Sequence, residues 1–285
     1  MLYDYDSEST VFLGAGETAS PVSLPIERST MWFRPVAALI LSLTISICAH
    51  AQPRSKPSAA GFDQVEQAFQ RTASEASRGL VAVLAVGPQA VQLVGSGFLV
   101  GDQSHFLTAV HVVRQDLPEG VSLAAFMPGS DTKNLYPVLV VEMDTDHDVA
   151  LCRLDLRGSS HSAPVRPLKL NSGPVPSPGT FVTVAGFPLG EPRPTFQFGN
   201  VISFTEPGER IALGVMLNDG SSGGPVIEVR SGNVAGIIVA VRMSDLYETR
   251  HSVALGKQNS GISWAVPVSD FRPLLQKYGL LPKTD

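Results

Sequence analysis

Asp219-Gly220-Ser221-Ser222-Gly223-Gly224-Pro225 is the most informative stretch of this 285-residue chain. Glycines on both sides of Ser222 permit a tight turn, because glycine adopts backbone conformations that are closed to other residues. On such a turn Ser222 is a candidate nucleophile, and the backbone N–H groups of Gly220 and Ser222 form a candidate oxyanion hole. Gly and Ser are also common in plain surface turns. The assignment therefore requires a partner His and Asp.

Candidate partners lie upstream of this turn. His111 belongs to the apolar segment 106–113, and Asp148 opens the apolar segment 149–154. Both segments have the composition of β-strands, so each residue alone is also explained as a polar residue at a strand end. Together, the order His111, Asp148, Ser222, with gaps of 37 and 74 residues, favours a catalytic triad.

Other residues compete for the same roles. His105 is a weaker candidate for the base, and Asp144 and Asp146 are alternatives for the acid. We prefer Asp148 because it directly precedes a strand that is apolar enough to be buried. The turn also satisfies G-x-S-x-G, the nucleophile elbow of α/β-hydrolases, in which the His follows the Ser. Only His251 lies downstream, in a polar segment without a βαβ pattern, so we set this alternative aside.

Six segments, in the same order along the chain, resemble the trypsin-like serine peptidases and within them the bacterial HtrA/Deg branch. They span roughly residues 78 to 275: Gly95 to Val100, Thr108 to Val113, Asp148 to Leu151, Ala185 to Gly190, Gly220 to Pro225, and Gly261 to Pro267. The resemblance implies an all-β fold of two six-stranded antiparallel β-barrels. It places His111 and Asp148 on the first barrel, Ser222 on the second, and the substrate in the cleft between them.

The local pattern independently predicts short strands separated by Gly and Pro. The chain has 26 Gly, 22 Pro, 44% hydrophobic and only 16% charged residues, which is typical of many strands joined by tight turns. Apolar residues at helical spacing predict a short amphipathic helix within 61–78, with Phe62, Val65, Phe69 and Ala73 on one face. The strands predicted are 80–86, 91–100, 106–110, 138–143, 149–154, 181–185, 226–229 and 234–241.

These patterns predict six regions along the chain. Residues 1–30 form an untranslated or disordered leader, 31–51 a signal peptide, and 52–78 an N-terminal segment with the helix. The first barrel covers 79–160, a linker 161–179, and the second barrel 180–285. Two polar segments, 115–134 and 244–260, are predicted to be long loops that gate the cleft.

Residues 31–51 have the three parts of a secretory signal: a basic start, a 13-residue apolar core and the sequence Ala49-His50-Ala51. We expect cleavage after Ala51, translation from Met31, and export to the periplasm or the exterior of a bacterial cell. The alternative is a signal anchor in the inner membrane. Lipidation at Cys48 is disfavoured, because Ile47 stands where a lipid-attachment motif has a small residue.

Charge and cysteine content exclude several classes of protein. Residues 1–51 hold two of the 21 basic and five of the 26 acidic residues, so residues 52–285 carry a formal charge of −2. This balance argues against nucleic acid as a partner. The remaining cysteine, Cys152, lies in a predicted strand and is expected to be a small buried hydrophobe. We expect no metal site and no cofactor, since His147 and its flanking Asp146 and Asp148 alternate faces on an extended chain.

The sequence therefore predicts a serine endopeptidase that acts on protein or peptide substrates. The alternatives are a catalytically silent trypsin-like binding protein and an esterase that uses the same triad. The resemblance places the specificity pocket near 213–217 and 237–241, whose apolar residues favour a small or medium apolar side chain before the cleaved bond. HtrA-like proteins usually carry PDZ domains after the protease, and only about ten residues follow 271–275 here, so we expect none. The oligomeric state is left open.

Overall fold

The computed structural model describes residues 59–114, 117–128, 135–157, 165–205, 210–248 and 253–281, with the backbone alone at 59–60, 241–248 and 253–259. Twelve strands form two closed six-stranded antiparallel barrels. The first barrel has the order β1-β2-β3-β6-β5-β4, and the second has the order β10-β11-β12-β9-β8-β7. The predicted fold class is confirmed.

The strands of the first barrel are β1 Leu80–Val86, β2 Val91–Leu99, β3 His105–Ala109, β4 Ser122–Phe126, β5 Tyr136–Asp144 and β6 Val149–Leu154. Those of the second are β7 Phe181–Gly186, β8 Thr195–Phe204, β9 Ile211–Gly214, β10 Pro225–Glu228, β11 Val234–Glu248 and β12 Val253–Pro267. The helices are α1 Ala59–Ala76, α2 Val110–Val113 and α3 Val268–Lys277, and 3-10 turns cover Ser77–Gly79 and Pro188–Gly190.

The central strands of the first barrel are buried on both faces. Leu80, Val81, Ala82 and Val83 of β1 have no exposed surface, and neither do the first four residues of β6, Val149–Cys152. One face of each strand fills the barrel, and the other packs into a hydrophobic cluster that also contains residues of the second barrel and of α3. The unbroken apolar runs of the sequence follow from this double burial, since a strand with one wet face would alternate.

The two terminal helices each pack on a barrel that is distant in sequence. Helix α1 lies on the second barrel, where Phe69 meets Phe198 edge to face at 5.7 Å. After β12, helix α3 turns back to the first barrel, and Lys277 and Tyr278 both bond the Glu142 carboxylate on β5 at 2.5 Å. The predicted helix is confirmed, but Phe62 is 76% exposed and lies off the packed face. Partial burial begins one turn later, at Val65.

The sequence patterns do not predict four of the described strands: β4, β8, β9 and β12. The prediction of a loop across 115–134 is wrong at β4, whose Ala124, Ala125 and Phe126 are buried. The five apolar residues 123–127 lie within a longer polar segment, so the composition of the whole segment indicates a loop. The loop predicted over 244–260 is also wrong at 244–248 and 253–260, which belong to an antiparallel hairpin that pairs Met243 with Asn259 and Glu248 with Val253. The sequence of these residues lacks the period-2 alternation of apolar and polar residues that indicates a strand.

The leader at 1–30, the signal peptide at 31–51 and residues 115–116, 129–134 and 249–252 of the predicted loops lie outside the described residues. Within the described ranges, no helix combines the length and apolar character that a membrane span requires.

Candidate active site

A one-turn helix and a tight turn bring His111 and Asp148 into contact on the first barrel. His111 lies on α2 directly after β3, and Asp148 closes the turn before β6, the strand that pairs with β3. The His111 Nδ1–H donates to Asp148 Oδ2 at 2.7 Å, and the His111 backbone N–H donates to Oδ1 at 3.0 Å. The Val110 N–H also donates to the Asp148 carbonyl at 3.1 Å. Three bonds therefore fix the imidazole ring relative to the carboxylate.

Asp148 adopts a left-handed backbone conformation with φ of 60°. Asp tolerates this region better than most residues, because its short side chain can bond locally. In this conformation the Asp148 carboxylate accepts hydrogen bonds from both the ring and the backbone N–H of His111. The 24% exposed Asp148 side chain is more protected than the 47% exposed His111 ring.

The other candidates for base and acid are engaged elsewhere. His105 Nδ1 lies 2.8 Å from Asp102 Oδ2, at the turn between β2 and β3. His147 Nδ1 lies 2.7 Å from Asp144 Oδ2. Asp146 is exposed. Of the three aspartates that the sequence offered as partners of His111, the structure brings only Asp148 to it.

The turn around Ser222 is packed tightly between the two barrels. A Cβ on Gly223 would lie 2.1 Å from the Ser96 carbonyl oxygen and 3.0 Å from the Ala109 backbone nitrogen, two residues before His111. The Gly223 φ of 84° adds a second reason for glycine. The Ser96 N–H donates to the Ser222 carbonyl at 2.8 Å. These contacts place the serine turn against the end of β3 that leads into His111.

Ser222 itself is partly exposed. Among the described residues, its hydroxyl makes no hydrogen bond, so the structure joins His111 to Asp148 but leaves Ser222 Oγ unbonded to the ring. Catalytic hydrogen bonds are often long before substrate binds, so the lack of a Ser222–His111 hydrogen bond is compatible with a triad.

Among the described residues, three backbone N–H groups in the turn have no acceptor, those of Asp219, Gly220 and Ser222. The last two are the candidate donors of the oxyanion hole. The other N–H groups of the turn are bonded: the Ser221 N–H donates to the Asn218 carbonyl at 3.1 Å, the Gly223 N–H to that of Ile238 at 2.7 Å, and the Gly224 N–H to that of Ser221 at 3.0 Å. Most buried or half-buried backbone donors are paired. Two open donors two residues apart are what an oxyanion hole requires.

The peptide bond before Gly220 is held by the turn at Pro188–Gly190. The Asp219 carbonyl accepts the Leu189 N–H at 2.8 Å. In a trans peptide the C=O and the following N–H point in opposite directions, so the Gly220 N–H points away from Leu189. The Asp219 oxygen is therefore not placed to accept the Ser222 N–H, as it would in an ordinary helical turn.

The segments predicted to form the specificity pocket flank this turn. Val215 and Leu217 are buried, whereas Met216 between them is 58% exposed. On β11, Ile237, Ile238 and Val239 are buried, and the pairing of β11 with β12 is irregular between Ile238 and Ala240. The residue patterns of the sequence do not predict the contribution of Ser96 to the site. The flanking glycines are the signal for a close approach there, since a Cβ would lie 2.5 Å from Val112 Cγ1 at Gly95 and 2.7 Å from the Leu107 carbonyl oxygen at Gly97.

Comparisons with known proteins show the family to which this chain is related. A family model described as "Trypsin-like peptidase domain" matches residues 95–237. A "Probable periplasmic serine endoprotease DegP-like" of Hahella chejuensis is 32% identical over 193 residues, which cover 64% of this chain and 34% of that protein. An uncharacterized protein of Sinorhizobium fredii is 26% identical over 200 residues, 68% of this chain and 28% of that protein. The chain thus spans about a third of the length of these relatives.

Solved structures show the same fold at low identity. An HtrA-type protease determined with a tripeptide has a TM-score of 0.56 and 18% identity, over 73% of this chain and 62% of that one. A serine endoprotease from Yersinia pestis has a TM-score of 0.55 and 20% identity, over 73% and 65% of the two chains. The Rv3671c protease from M. tuberculosis in its active form has a TM-score of 0.53 and 17% identity, over 75% and 86%.

Proposed function

This chain belongs to the trypsin-like peptidase domain family, and on that premise we propose that it is a serine endopeptidase with the triad His111, Asp148 and Ser222. Gly220 and Ser222 supply the backbone N–H groups of the oxyanion hole. The observation that carries the proposal is the combination of a bonded His–Asp pair with two open N–H donors on the serine turn that packs against it.

The hydrogen bonds support a separate role for each group of the triad. With its Nδ1–H bonded to Asp148, the His111 ring keeps its Nε2 lone pair free to take the Ser222 proton. Ser222 Oγ then bonds the substrate carbonyl carbon, and His111 returns the proton to the leaving amine. Asp148 stabilises the imidazolium that forms between these steps. Water then attacks the acyl-enzyme through the same proton transfers and releases the second product.

The orientation of the Gly220 peptide supports a site that is ready before substrate arrives. In the opposite orientation the Asp219 carbonyl would occupy the hole and repel the oxyanion. Its bond to Leu189 keeps it away. Preorganised donors of this kind supply much of the rate enhancement in acyl transfer, because they need no rearrangement in the transition state.

We also propose that the residue before the cleaved bond is a small or medium apolar one. Val215, Leu217, Ile237 and Val239 beside the serine turn are apolar and buried. A cationic side chain there would lose water without gaining a carboxylate. Cleavage of a peptide library after Lys or Arg contradicts this preference.

Export is the proposed setting of the reaction. Residues 31–51 have the pattern of a cleavable signal, and the Hahella chejuensis relative is named as periplasmic. Expression in a bacterial host with cell fractionation tests this, and an exported chain whose first residue is Gln52 is the expected product. A chain retained in the membrane with residues 31–51 intact supports the signal anchor instead.

Labelling of the purified chain with a fluorescent fluorophosphonate tests the chemistry. The wild-type chain is expected to react at Ser222, located by mass spectrometry, whereas Ser222→Ala and His111→Ala are expected to lose the label and stay folded. An unlabelled wild-type chain with a native circular dichroism spectrum contradicts the triad and favours a silent binding protein. Turnover of a labelled casein, compared with that of a nitrophenyl ester, then separates an endopeptidase from an esterase.

A further inference from the structure

We propose that Ser96 is a positioning residue of the oxyanion hole, whose side-chain hydroxyl holds the peptide that joins Gly220 to Ser221, between the two N–H donors of the hole. The inference rests on the proposed function for its catalytic consequence. Ser96 lies on β2 of the first barrel, 124 residues before Gly220, and is completely buried. No part of the triad includes it.

Every polar atom of Ser96 bonds a different part of the site. Its backbone N–H donates to the Ser222 carbonyl at 2.8 Å, and its carbonyl accepts the Thr108 hydroxyl at 2.7 Å. Its side-chain oxygen accepts the Phe187 N–H at 2.8 Å and donates to the Gly220 carbonyl at 2.6 Å. One residue thus bonds the nucleophile, the hole and the turn beside it.

The hydroxyl proton has a defined direction. A serine hydroxyl has one proton to donate and lone pairs to accept. Because the Phe187 N–H already donates to the oxygen and the Gly220 carbonyl can only accept, the proton must point at Gly220. The hydroxyl therefore accepts a hydrogen bond from the Phe187 N–H and donates one to the Gly220 carbonyl. An apolar side chain of the same size can do neither.

This bond adds a side-chain anchor to a glycine that only backbone bonds hold otherwise. Gly220 has a φ of 91°, and as a glycine it crosses between conformations at little cost. The peptide before it is held by the bond from Leu189 to the Asp219 carbonyl, and the peptide after it by the bond from Ser96. The peptide after Gly220 is also engaged by the Ser221 N–H, which donates to the Asn218 carbonyl at 3.1 Å. With both planes held, the Gly220 N–H keeps one direction. Without Ser96, the second plane loses its only side-chain bond.

The packing leaves room for a hydroxyl and little more. A Cβ on Gly186 would lie 2.8 Å from Ser96 Oγ, and one on Gly220 would lie 2.5 Å from the Phe187 carbonyl oxygen. Replacing Ser96 with Ala leaves the buried Phe187 N–H and the partly buried Gly220 carbonyl without this partner, which favours a rearrangement that finds new ones. Rotation of the Gly220 peptide is the simplest such rearrangement.

A kinetic comparison in the full chain tests the inference. The probe is the fluorophosphonate, whose phosphorus bonds Ser222 Oγ as fluoride leaves and the Ser222 proton passes to His111, while the phosphoryl oxygen enters the hole. For Ser96→Ala we expect the limiting rate of labelling to fall about 10- to 100-fold, with the half-saturating probe concentration little changed, since removal of a whole oxyanion-hole donor costs about 100- to 1,000-fold.

Thr72→Ala is the matched control. It removes a buried hydroxyl that contacts the Val229 carbonyl at 3.5 Å, where α1 packs on the second barrel and away from the serine turn. We expect it to lower the stability without changing the labelling rate. If Ser96 is merely structural, Ser96→Ala resembles this control, and a limiting rate equal to that of the wild-type chain overturns the inference.

A crystal structure of Ser96→Ala separates this inference from the proposed function. We expect a rotated peptide at Gly220, with the Gly220 carbonyl no longer facing residue 96. An unchanged peptide orientation overturns the role of Ser96, whether or not the wild-type chain reacts. An unreactive wild-type chain refutes the proposed activity, and the rotated peptide would still establish that Ser96 holds Gly220.

Discussion

Replacing Gly223 with Ala should destabilise the folded chain far more than the same change at Gly232. Both glycines have a positive φ, 84° at Gly223 and 71° at Gly232, so each variant carries the strain of a left-handed alanine, about 1–2 kcal/mol. The surroundings differ. At Gly232 the nearest atom that a new Cβ meets is Glu75 Oε2 at 3.9 Å, an ordinary contact with the end of a flexible side chain.

At Gly223 the new Cβ would lie 2.1 Å from the Ser96 carbonyl oxygen and 2.3 Å from Thr108 Oγ1. These two atoms are hydrogen-bonded to each other at 2.7 Å, and both residues are completely buried. The methyl group can be accommodated only if the serine turn moves away from the first barrel. Overpacking of this kind typically costs about 1–3 kcal/mol beyond the strain, which gives a total of about 2–5 kcal/mol for Gly223→Ala.

Urea unfolding followed by circular dichroism measures the difference between the two variants. For a domain of this size, about 1 kcal/mol corresponds to about 2–4 °C in Tm, so thermal melts provide a second measurement. The Gly223→Ala midpoint is expected to lie well below that of Gly232→Ala, and labelling of Ser222 is expected to fall with it. Equal midpoints refute the packing argument, because strain alone then accounts for both variants.

Three further predictions concern the acidic residues and the cysteine. Asp148→Asn is expected to slow casein hydrolysis by about 10,000-fold with the fold intact, since the amide favours the wrong His111 tautomer. The activity of Asp144→Asn is expected to stay close to that of the wild-type chain. Equal losses of activity in the two variants contradict the assignment of Asp148. Burial raises the pKa of the Cys152 thiol to about 12, so Ellman's reagent at pH 8 should react only after unfolding, and rapid reaction of the native chain would show that the strand is open. Burial raises the pKa of Asp102, but hydrogen bonds from His105 and Ser104 outweigh it and leave that pKa below its usual value. The ionised carboxylate of Asp102 therefore stabilises the fold above the unfolded pKa, and this contribution is lost as the pH falls through the lower, folded pKa. From about pH 5 to pH 3, the urea midpoints of Asp102→Asn should fall less steeply than those of the wild-type chain. Parallel curves of urea midpoint against pH rule out this contribution.

The strands that the sequence predicted well are those buried on both faces or bounded by clear turns. β1 at Leu80–Val86 and β6 at Val149–Leu154 occur at the predicted residues, because their apolar runs contrast with polar neighbours. β4 has only a short apolar run, and the sequence of the outer part of the β11–β12 hairpin has no regular alternation of apolar and polar residues. An apolar pattern cannot reveal a strand of this kind, whereas its backbone pairing in the structure does.

The features of the candidate active site also fall into those that the sequence determines and those that only the tertiary structure determines. The sequence by itself determined the residue types and their order: a serine flanked by glycines, a histidine after one strand and an aspartate before another. Those features are local, since a turn needs glycine and a strand needs apolar residues wherever they lie in the fold. The sequence favoured Asp148 over Asp144, and the tertiary structure shows that Asp148 bonds His111 while Asp144 bonds His147. Only the tertiary structure decided that a hydroxyl on β2 reaches Gly220. The first and last of these contacts join segments far apart along the chain, and only closure of the barrels and their packing against each other bring these atoms within hydrogen-bonding distance.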